Sequence, residues 1–365
     1  MVINSLLAQN FRNFESLDLK FGQGFVVLSG ANGAGKSNFL ESIYFGGSLR
    51  RFPESGLDQL FRLGENHFRV AITTPGPESN IQEVYAEQQN EKRIFRFKIN
   101  NQPIQRNKYT GLLPIVSFLP QDLNLLTRSP GNRRRFMDES LSFISAEYRF
   151  ALSRFEAVVR QRNELWQSIR QKGAGVDDDL VVWDEKLAEH GSTLIKERQE
   201  FFKYLNSNFS AIMNTLSPQL SSGLFAYYYS GSENKAVFME KILEARGRER
   251  VVGTTIIGPH RDDFDVILEG KNAVGFVSRG QMRSFTLALK ILERNYLSEK
   301  LAREPLVILD DVFSEFDQPH QERLVEFLKS LDQVFVTTTH LDEIKSFLPA
   351  QGQIYNIEEG KISNV

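Results

Sequence analysis

The sequence predicts an α/β fold with mixed sheets, interrupted by a short antiparallel pair of helices. Three observations lead to this prediction. A glycine-rich loop at residues 30–37 joins an apolar strand-like run to a helix-compatible stretch. A fully apolar run at residues 306–309 ends in two carboxylates, and the apolar spacing becomes helical over residues 131–217. We therefore expect three segments: residues 1–122, a helical insertion at 123–217, and residues 218–365.

Short apolar runs separated by turn residues predict strands in the first 120 residues. The predicted strands cover residues 3–8, 15–21, 25–28, 67–73, 81–86 and 93–99. Asn100 and Asn101 form the predicted tip of a hairpin that returns at Ile104. A further strand at 115–119 ends in Pro120, Gln121 and Asp122.

The glycine-rich loop fits the pattern G-x-x-x-x-G-K-[ST], in the strand–loop–helix context that confirms it. Its glycines let backbone N–H groups surround phosphate oxygens, Lys36 can reach the β- and γ-phosphates, and the Ser37 hydroxyl can ligate Mg²⁺. The N-terminus of the following helix adds favourable partial charge. The predicted ATP-binding residues here are Gly30, Ala31, Asn32, Gly33, Ala34, Gly35, Lys36, Ser37 and Asn38.

The apolar run at 306–309 leads into Asp310 and Asp311, which places both at the carboxyl edge of a parallel sheet. Asp310 is predicted to hold Mg²⁺ directly or through water. Asp311 points elsewhere and could polarise the attacking water, since phosphoryl transfer depends mainly on positioning and charge stabilisation. Taken alone, the run would more often be a strand that ends in a turn with solvated acids, but the glycine-rich loop in the same chain favours the metal site.

Two other strand ends are predicted to reach the same sheet edge. The run at 334–337 is followed by His340, which is suited to a hydrogen bond with the γ-phosphate, although a lone histidine is more often structural. Gln121 matches the placement of a loop that couples the γ-phosphate and Mg²⁺ to an inserted domain. The predicted catalytic residues are Lys36, Asp311 and His340, and the predicted metal ligands are Ser37, Asp310 and Gln121.

Apolar residues recur at helical spacing through 148–169 and again through 182–205, with Gly173, Ala174 and Gly175 between them. This predicts two antiparallel helices, of which the first, about 25 residues, extends roughly 40 Å. From about residue 220 the pattern predicts strands again. A turn at 258–263 follows, from which His260 and Arg261 are expected to project.

Ser278, Arg279, Gly280 and Gln281 precede an amphipathic helix. The apolar face of that helix comprises Met282, Phe285, Leu289, Leu292 and Tyr296. The serine hydroxyl and the first backbone N–H groups can bind an anion. The segment resembles the signature of ABC-type ATPases, which meets the γ-phosphate held by the opposite subunit. That resemblance implies two ATP molecules sandwiched between two chains.

The net charge of −2, from 44 basic and 46 acidic residues, decides nothing about nucleic acid, so the clustering of charge matters. Residues 91–108 hold six basic residues against one acid, and two further clusters lie at 128–135 and 246–250. Any single cluster could be a solvated face, but several on one ATPase favour a track for DNA phosphates. The predicted DNA contacts are Lys92, Arg93, Arg133, Arg134 and Arg135.

The chain has no cysteine, which excludes disulfides and thiolate metal sites. Its first residues lack the basic region and apolar core of a signal peptide. No run of about 18 uncharged apolar residues is present. We expect a cytoplasmic protein without a membrane partner.

Together these segments resemble the RecF family, bacterial recombination mediator ATPases related to SMC and Rad50 heads. The resemblance covers the whole length: residues 10–14, 30–37, 129–138, 258–263, 278–283 and 309–317. It implies an ABC-type ATPase head with a short helical arm. It also implies Arg12 and Asn13 as nucleotide contacts from the first strand turn, and Gln121 as the Q-loop residue.

The resemblance further implies a function in repair of gapped or stalled replication products. Such proteins bind double-stranded DNA as ATP-dependent dimers, act with RecR and RecO, and promote RecA loading near single-strand gaps. Gln121 and Arg279 stand where many relatives carry Glu and Gln, respectively. Two other hypotheses remain at this point, a transporter nucleotide-binding subunit and a scaffold in which ATP is only structural.

Overall fold

The computed structural model describes residues 2–53, 55–76, 80–90, 92–172, 177–345, 348 and 352–364. The chain forms two compact units, Met1–Leu123 with Leu297–Val365, and Asn124–Tyr296. Within the described residues, no helix is long and apolar enough to cross a bilayer.

The secondary structure alternates between strands and helices along the chain. The strands are β1 (Ser5–Phe11), β2 (Phe14–Lys20), β3 (Gly24–Ser29), β4 (His67–Thr74), β5 (Asn80–Gln89), β6 (Lys92–Ile99), β7 (Gln102–Ile104), β8 (Ile115–Phe118), β9 (Leu224–Tyr228), β10 (Asp263–Leu268), β11 (Lys271–Asn272), β12 (Leu306–Asp310), β13 (Gln333–Thr338), β14 (Gln353–Glu358) and β15 (Lys361–Asn364). The helices are α1 (Lys36–Ser48), α2 (Arg106–Tyr109), α3 (Pro130–Ile144), α4 (Ala146–Lys172), α5 (Asp177–Leu216), α6 (Lys235–Val252), α7 (Arg279–Leu301), α8 (Gln318–Lys329) and α9 (Leu341–Lys345).

Two sheets form the first unit. One is antiparallel, with strand order β2-β1-β4-β5-β6-β7. The other has order β15-β14-β3-β13-β12-β8, and its strands from β14 to β8 are parallel. The mixed sheets predicted from the sequence are confirmed. In the second sheet the carboxyl ends of β3, β12 and β13 lie together, which is where ligands bind in such folds.

Helix α1 packs against strands of both sheets. A Cβ atom on Gly46 would lie 2.6 Å from the Val70 side chain of the antiparallel sheet. A Cβ atom on Gly47 would lie 2.6 Å from the Leu113 side chain, next to β8. Since two adjacent glycines let α1 approach on both sides, the loop preceding the helix is anchored to the core.

The second unit contains α3 to α6, the sheet β11-β10-β9 and most of α7. Tyr148 of α4 bonds Arg198 of α5, and Arg162 bonds Asp184. These pairs show that α4 and α5 are antiparallel, as predicted. The 27 residues of α4 extend roughly 40 Å. The predicted break at Gly173, Ala174 and Gly175 lies outside the described residues.

The structure differs from the sequence prediction in two respects. Helix α6 occupies residues for which strands were predicted. The helix was missed because few of its residues are apolar and buried: Phe238, Ile242 and Ala245 are separated by charged residues. The compact unit also continues past the predicted boundary at residue 217, since β9 and α6 pack on α5. The assignment of residues 218–296 to the ATPase part therefore remains a prediction.

Candidate nucleotide-binding site

The loop between β3 and α1 has the backbone that a phosphate cradle needs. Gly33 and Gly35 have φ values of +81° and +116°, in the left-handed region that favours glycine. Gly30 is required for another reason, since a Cβ there would lie 2.4 Å from the Ile357 carbonyl oxygen of β14. The three positions explain why this loop is glycine-rich.

Lys36 is buried at the start of α1. Its ammonium donates to the carbonyl oxygens of Gly30 at 2.8 Å and Ala31 at 3.0 Å. Burial lowers the pKa of Lys36, while the nearby carboxylates of Asp311 and Asp310 act in the opposite direction. Phosphate oxygens entering the loop can replace the two carbonyl partners of the ammonium.

Asp310 lies at the end of β12 and is 8% exposed. It accepts a hydrogen bond from Thr337 Oγ1 at 2.7 Å and another from the Ser37 hydroxyl. Burial raises the pKa of Asp310, and these two hydrogen bonds oppose the shift. Ser37 and Asp310 are thus adjacent, as a shared Mg²⁺ requires, and both are oxygen donors.

The described residues contain no cluster of three or more His, Cys, Asp or Glu side chains that could hold a metal ion. Mg²⁺ commonly uses one or two carboxylates together with substrate phosphates and water. A site built from Ser37 and Asp310 therefore fits Mg²⁺ that arrives with a nucleotide.

Asp311 has a positive φ of +48°, which turns the chain sharply after Asp310. Its N–H donates to the Thr337 carbonyl at 3.2 Å and to the Thr337 hydroxyl at 3.0 Å. Its own carboxylate accepts from the Thr339 N–H at 3.3 Å. The carboxylate of Asp311 is therefore hydrogen-bonded to the backbone of Thr339, the residue that precedes His340.

His340 is exposed and lines a cleft of about 520 Å³ with Gly30, Ala31 and Asn356. The Thr338 hydroxyl accepts from the His340 N–H at 3.0 Å. The strand register accounts for this meeting of segments, because β13 lies directly between β3 and β12. The structure thus brings Asp311 and His340 to the sheet edge that carries the glycine-rich loop.

Asn13 lies on the glycine-rich loop. Its amide donates to the Ala34 carbonyl at 3.3 Å and accepts from Asn38 Nδ2 at 2.8 Å. A Cβ on Gly35 would lie 2.4 Å from Asn13 Nδ2, so the two residues are in close contact. Asn13 and Asn38 therefore stand at the side of the loop where α1 begins.

Arg12 is engaged with other residues of the first unit. Its Nε donates to the Glu41 carboxylate at 2.7 Å, and its Nη2 contacts Glu41 and the Ser55 hydroxyl. Glu41, buried in α1, also accepts from the Phe52 N–H at 3.0 Å. A nucleotide contact by Arg12 remains a prediction and would compete with this buried carboxylate.

Gln121 follows β8 in a short 3₁₀ turn, Pro120–Asn124. Strand β8 pairs with β12, with Phe118 opposite Leu309. Gln121 therefore lies at the carboxyl edge of the same sheet as Asp310, which is where its predicted function places it.

The predicted signature segment caps α7 in the second unit. The Ser278 N–H donates to Gln281 Oε1 at 2.8 Å, and the Gln281 N–H donates to Ser278 Oγ at 3.2 Å. This reciprocal pair is a capping box. Ser278, Arg279 and Gly280 are exposed, while the predicted apolar face of α7 is buried. The exposed residues at this helix end can meet an anion from outside the chain.

Comparison with known proteins identifies the family to which this chain belongs. The family model described as "RecF/RecN/SMC N terminal domain" matches residues 2–362. The DNA replication and repair protein RecF of Agathobacter rectalis is 32% identical over 98% of this chain and 100% of its own length. The chain belongs to the RecF family. RecF of Moorella thermoacetica is 33% identical over 96% of this chain and 94% of its own.

Solved structures agree with the RecF family and its fold. The recombination mediator protein RecF-ATPrS in the RecFOR pathway matches with a TM-score of 0.88 and 26% identity, covering 100% of this chain and 98% of that one. RecF-ATP in the same pathway gives 0.85 and 25%, covering 100% and 97%. The SmcHead bound to the C-winged helix domain of ScpA gives 0.56 and 16%, covering 100% and 97%, and shows the fold alone. The predicted ABC-type head is confirmed.

One residue predicted to contact DNA in this RecF-family chain is structural instead. Arg133 is buried, and its Nε and Nη2 donate to Asp263 at 2.6 and 2.7 Å. Its Nη1 donates to the Arg128 carbonyl at 2.5 Å. The prediction for Arg133 is wrong, because clustering in the sequence does not show that a guanidinium is itself buried and paired with a carboxylate.

The other residues predicted to contact DNA differ in whether their side chains already have a partner within the protein. Lys92 is exposed, and among the described residues it makes no ion pair. Arg93 pairs with Asp58. Arg134 donates to the Asp262 carbonyl at 2.9 Å, and Arg135 pairs with Glu139 at 2.8 Å. These four residues remain predicted contacts.

The arginines at 246, 248 and 250 lie on α6, where Arg246 and Arg250 are four residues apart and share a face, but Arg248 lies on a different one. Arg246 pairs with the buried carboxylate of Asp184 at 2.7 Å. The cluster is therefore not a single basic surface.

The turn at 258–263 is largely buried, although the sequence suggested that it projects. His260 Nε2 contacts the Thr255 carbonyl at 3.0 Å, and burial lowers the pKa of His260 to about 4. Asp262 accepts from Arg198 at 2.8 Å. In this turn Arg261 is exposed. The segment therefore packs against the helices of the second unit, with most of its residues buried or half-buried.

The sequence did not single out several residues of this site. Thr337 bonds both Asp310 and Asp311, and Glu41 holds Arg12. Asn356 lines the cleft beside His340, and the Gly360 N–H donates to the Ala34 carbonyl at 3.2 Å. A threonine inside an apolar strand and a glutamate inside an apolar helix face were the available signals for the first two.

Proposed function

We propose that the chain is an ATP-dependent DNA-binding protein of recombinational repair and replication restart. ATP joins two copies, the dimer binds duplex DNA near single-strand gaps, and slow, DNA-stimulated hydrolysis releases it. The observation that carries the proposal is the hydrogen-bonded pair of Ser37 and Asp310 beside Lys36. Such a pair fits Mg²⁺ and phosphate, and the solved RecF-family relatives are named with ATP or ATPrS.

Each residue of the site has a defined step in the proposed reaction. Lys36 exchanges its carbonyl partners for β- and γ-phosphate oxygens. Ser37 and Asp310 hold Mg²⁺, which neutralises charge on the phosphates. Asp311 orients and polarises the attacking water, and His340 donates to the γ-phosphate. Because the chemistry needs mainly positioning, an aspartate at 311 is sufficient for slow turnover.

The signature explains why two copies are proposed. Ser278, Arg279 and Gly280 present an exposed helix N-terminus, which favours an anion. In the ABC-type arrangement that this segment resembles, the anion is the γ-phosphate held by the other copy. The capping box keeps the Ser278 hydroxyl in place for that contact.

The proposed DNA contacts are Lys92 and Arg93 of the first unit, and Arg134 and Arg135 of the second unit. Arg133 is left out because it is buried against Asp263. We further propose that the dimer acts in the cytoplasm with RecR and RecO and promotes RecA loading. No membrane partner is proposed.

The test is sedimentation of the protein with and without ATP and a gapped duplex. We expect dimers that carry DNA only with ATP. Ser278→Arg should remain a monomer that still binds ATP, because the substitution fills the anion site on the surface. Ser207→Arg, on the exposed face of α5, is the matched control and should dimerise normally. Monomers throughout, with ATP bound, would contradict the proposal.

A further inference from the structure

The C-terminal hairpin of β14 and β15 packs against the glycine-rich loop. Strand β14 runs parallel to β3, with Asn356 opposite Ser29. It passes so close to the loop that a Cβ on Gly30 would lie 2.4 Å from the Ile357 carbonyl oxygen. The hairpin is also tied to the segment before β3, since the Gly22 N–H donates to Gln353 Oε1 at 2.6 Å.

The turn of this hairpin reaches the second half of the loop. Glu358 pairs with Lys361, which leaves Glu359 and Gly360 as a two-residue turn with φ values of +48° and +78°. The Gly360 N–H donates to the Ala34 carbonyl at 3.2 Å. The amide of Asn13 donates to the same carbonyl at 3.3 Å. Two donors outside the loop therefore fix one carbonyl within it.

The geometry of the peptide bond gives this contact a consequence. The Ala34 carbonyl and the Gly35 N–H belong to one planar trans peptide, so they point in opposite directions. When the hairpin and Asn13 hold the carbonyl on one side, the Gly35 N–H is directed to the other side. Backbone N–H groups in this part of the loop are those that cradle phosphate.

We propose that the Glu359–Gly360 turn is a positioning element of the nucleotide site. It fixes the Ala34–Gly35 peptide in its phosphate-binding orientation, and nucleotide binding in turn strengthens the docking of the hairpin. This inference rests on the proposed binding of ATP by the loop. Gly360 acts through the loop backbone and does not contact the nucleotide.

The chain contains a matched control for this turn. Glu269, Gly270 and Lys271 repeat the tripeptide Glu359, Gly360 and Lys361, and they also form a two-residue hairpin turn. The φ values of Glu269 and Gly270 are +51° and +76°. A Cβ on Gly270 would have no atom within 4 Å, whereas a Cβ on Gly360 would lie 3.1 Å from Asn13. Alanine at the two positions introduces the same backbone strain and differs in its neighbour.

The experiment compares Gly360→Ala with Gly270→Ala by titration with ATP and by steady-state hydrolysis. We expect Gly360→Ala to raise Kd and KM for ATP by about fivefold or more, with kcat changed less than about twofold. Gly270→Ala should leave both Kd and KM within about twofold of wild type. Equal ATP affinity of Gly360→Ala and wild type would overturn the inference.

A second measurement needs no variant and covers the case in which Gly360→Ala fails to fold. Because coupling between sites is reciprocal, ADP should slow amide hydrogen exchange at Gly360 in the wild-type protein and leave Gly270 unchanged. An amide hydrogen exchange rate at Gly360 that is the same with and without ADP would overturn the inference. A wild-type protein that binds neither ATP nor ADP would instead overturn the proposed function.

Discussion

Asp310 occupies a buried position where its carboxylate costs the folded protein stability. Burial raises the pKa of this carboxyl, so its ionised form is less favourable in the folded chain than in the unfolded chain. Its contribution to stability therefore falls as pH rises through the raised pKa. The proposed Mg²⁺ site would account for a carboxylate at this position despite the cost.

We expect Asp310→Asn to have opposite effects on stability and activity. Without nucleotide at pH 7, its melting temperature should exceed that of wild type, and the difference should shrink at acidic pH. ATP hydrolysis should fall by about 100-fold or more, since the proposed Mg²⁺ site would lose its carboxylate. Scanning calorimetry and a phosphate-release assay measure the two effects. Asp317→Asn is the control and should lower the melting temperature, because a hydrogen bond from His320 lowers the pKa of Asp317. An Asp310→Asn variant that is less stable than wild type would contradict the account.

His260 predicts a pH dependence of stability. Burial lowers its pKa from 6.5 to about 4, so the unfolded chain takes up a proton at a higher pH than the folded chain. Stability from neutral His260 is complete above pH 6.5 and is lost as pH falls toward 4, by roughly 3 kcal/mol. His260→Gln should remove this part of the loss, because glutamine can still donate to the Thr255 carbonyl. Urea unfolding at several pH values tests this, and an unchanged pH slope would contradict it.

At the scale of elements, the helical arm is held by a buried charge network. Arg162 of α4 bonds Asp184 of α5 at 2.6 Å and Glu249 of α6 at 2.9 Å, and all three side chains are 0% exposed. Arg162 also donates to the Thr255 hydroxyl at 2.9 Å. Arg246 neutralises the other oxygen of Asp184. One guanidinium therefore joins three helices to the segment before the turn at 258–263.

Arg162→Met should destabilise the protein by about 3–5 kcal/mol, because it leaves two buried carboxylates with too little compensating charge. Arg160→Met, on the exposed face of the same helix, should change the free energy of unfolding by less than about 0.5 kcal/mol. Chemical denaturation of the two variants measures the difference. Equal effects of the two substitutions would mean that the network is not what holds α4, α5 and α6 together.

The elements also show what the sequence could predict. The strand, loop and helix around Lys36 were predictable because their pattern is local, with glycines at fixed spacing between two apolar runs. The meeting of Asp310 with Ser37 followed from the rule that ligands bind at the carboxyl ends of parallel strands. Arg133 and His260 could not be placed in this way, since their burial depends on partners more than a hundred residues away or on packing of the whole unit. Helix α6 was missed because its apolar positions are too sparse to show a period.

At the scale of the whole molecule, the proposed switch couples ATP to DNA. If ATP closes two copies on DNA, then ATP must raise DNA affinity and DNA must raise ATP affinity by the same factor, typically five- to 150-fold. Lys36→Met should remove this coupling, because the substitution deletes the ammonium that exchanges carbonyls for phosphate. Fluorescence anisotropy of a labelled gapped duplex with ATP, ADP or no nucleotide measures it. Equal DNA affinity in the three conditions would contradict the switch.

Asp311→Asn separates a hydrolytic switch from a scaffold that uses ATP only structurally. The amide keeps the size of Asp311 and can still accept from the Thr339 N–H, so ATP binding and dimer formation should persist. Turnover should fall by about 100-fold or more, because the amide cannot polarise the attacking water. DNA bound in the presence of ATP should then dissociate more slowly than from wild type, since release depends on hydrolysis. If DNA dissociates at the wild-type rate although turnover is abolished, hydrolysis does not control DNA release. The scaffold that uses ATP only structurally would then be the better account.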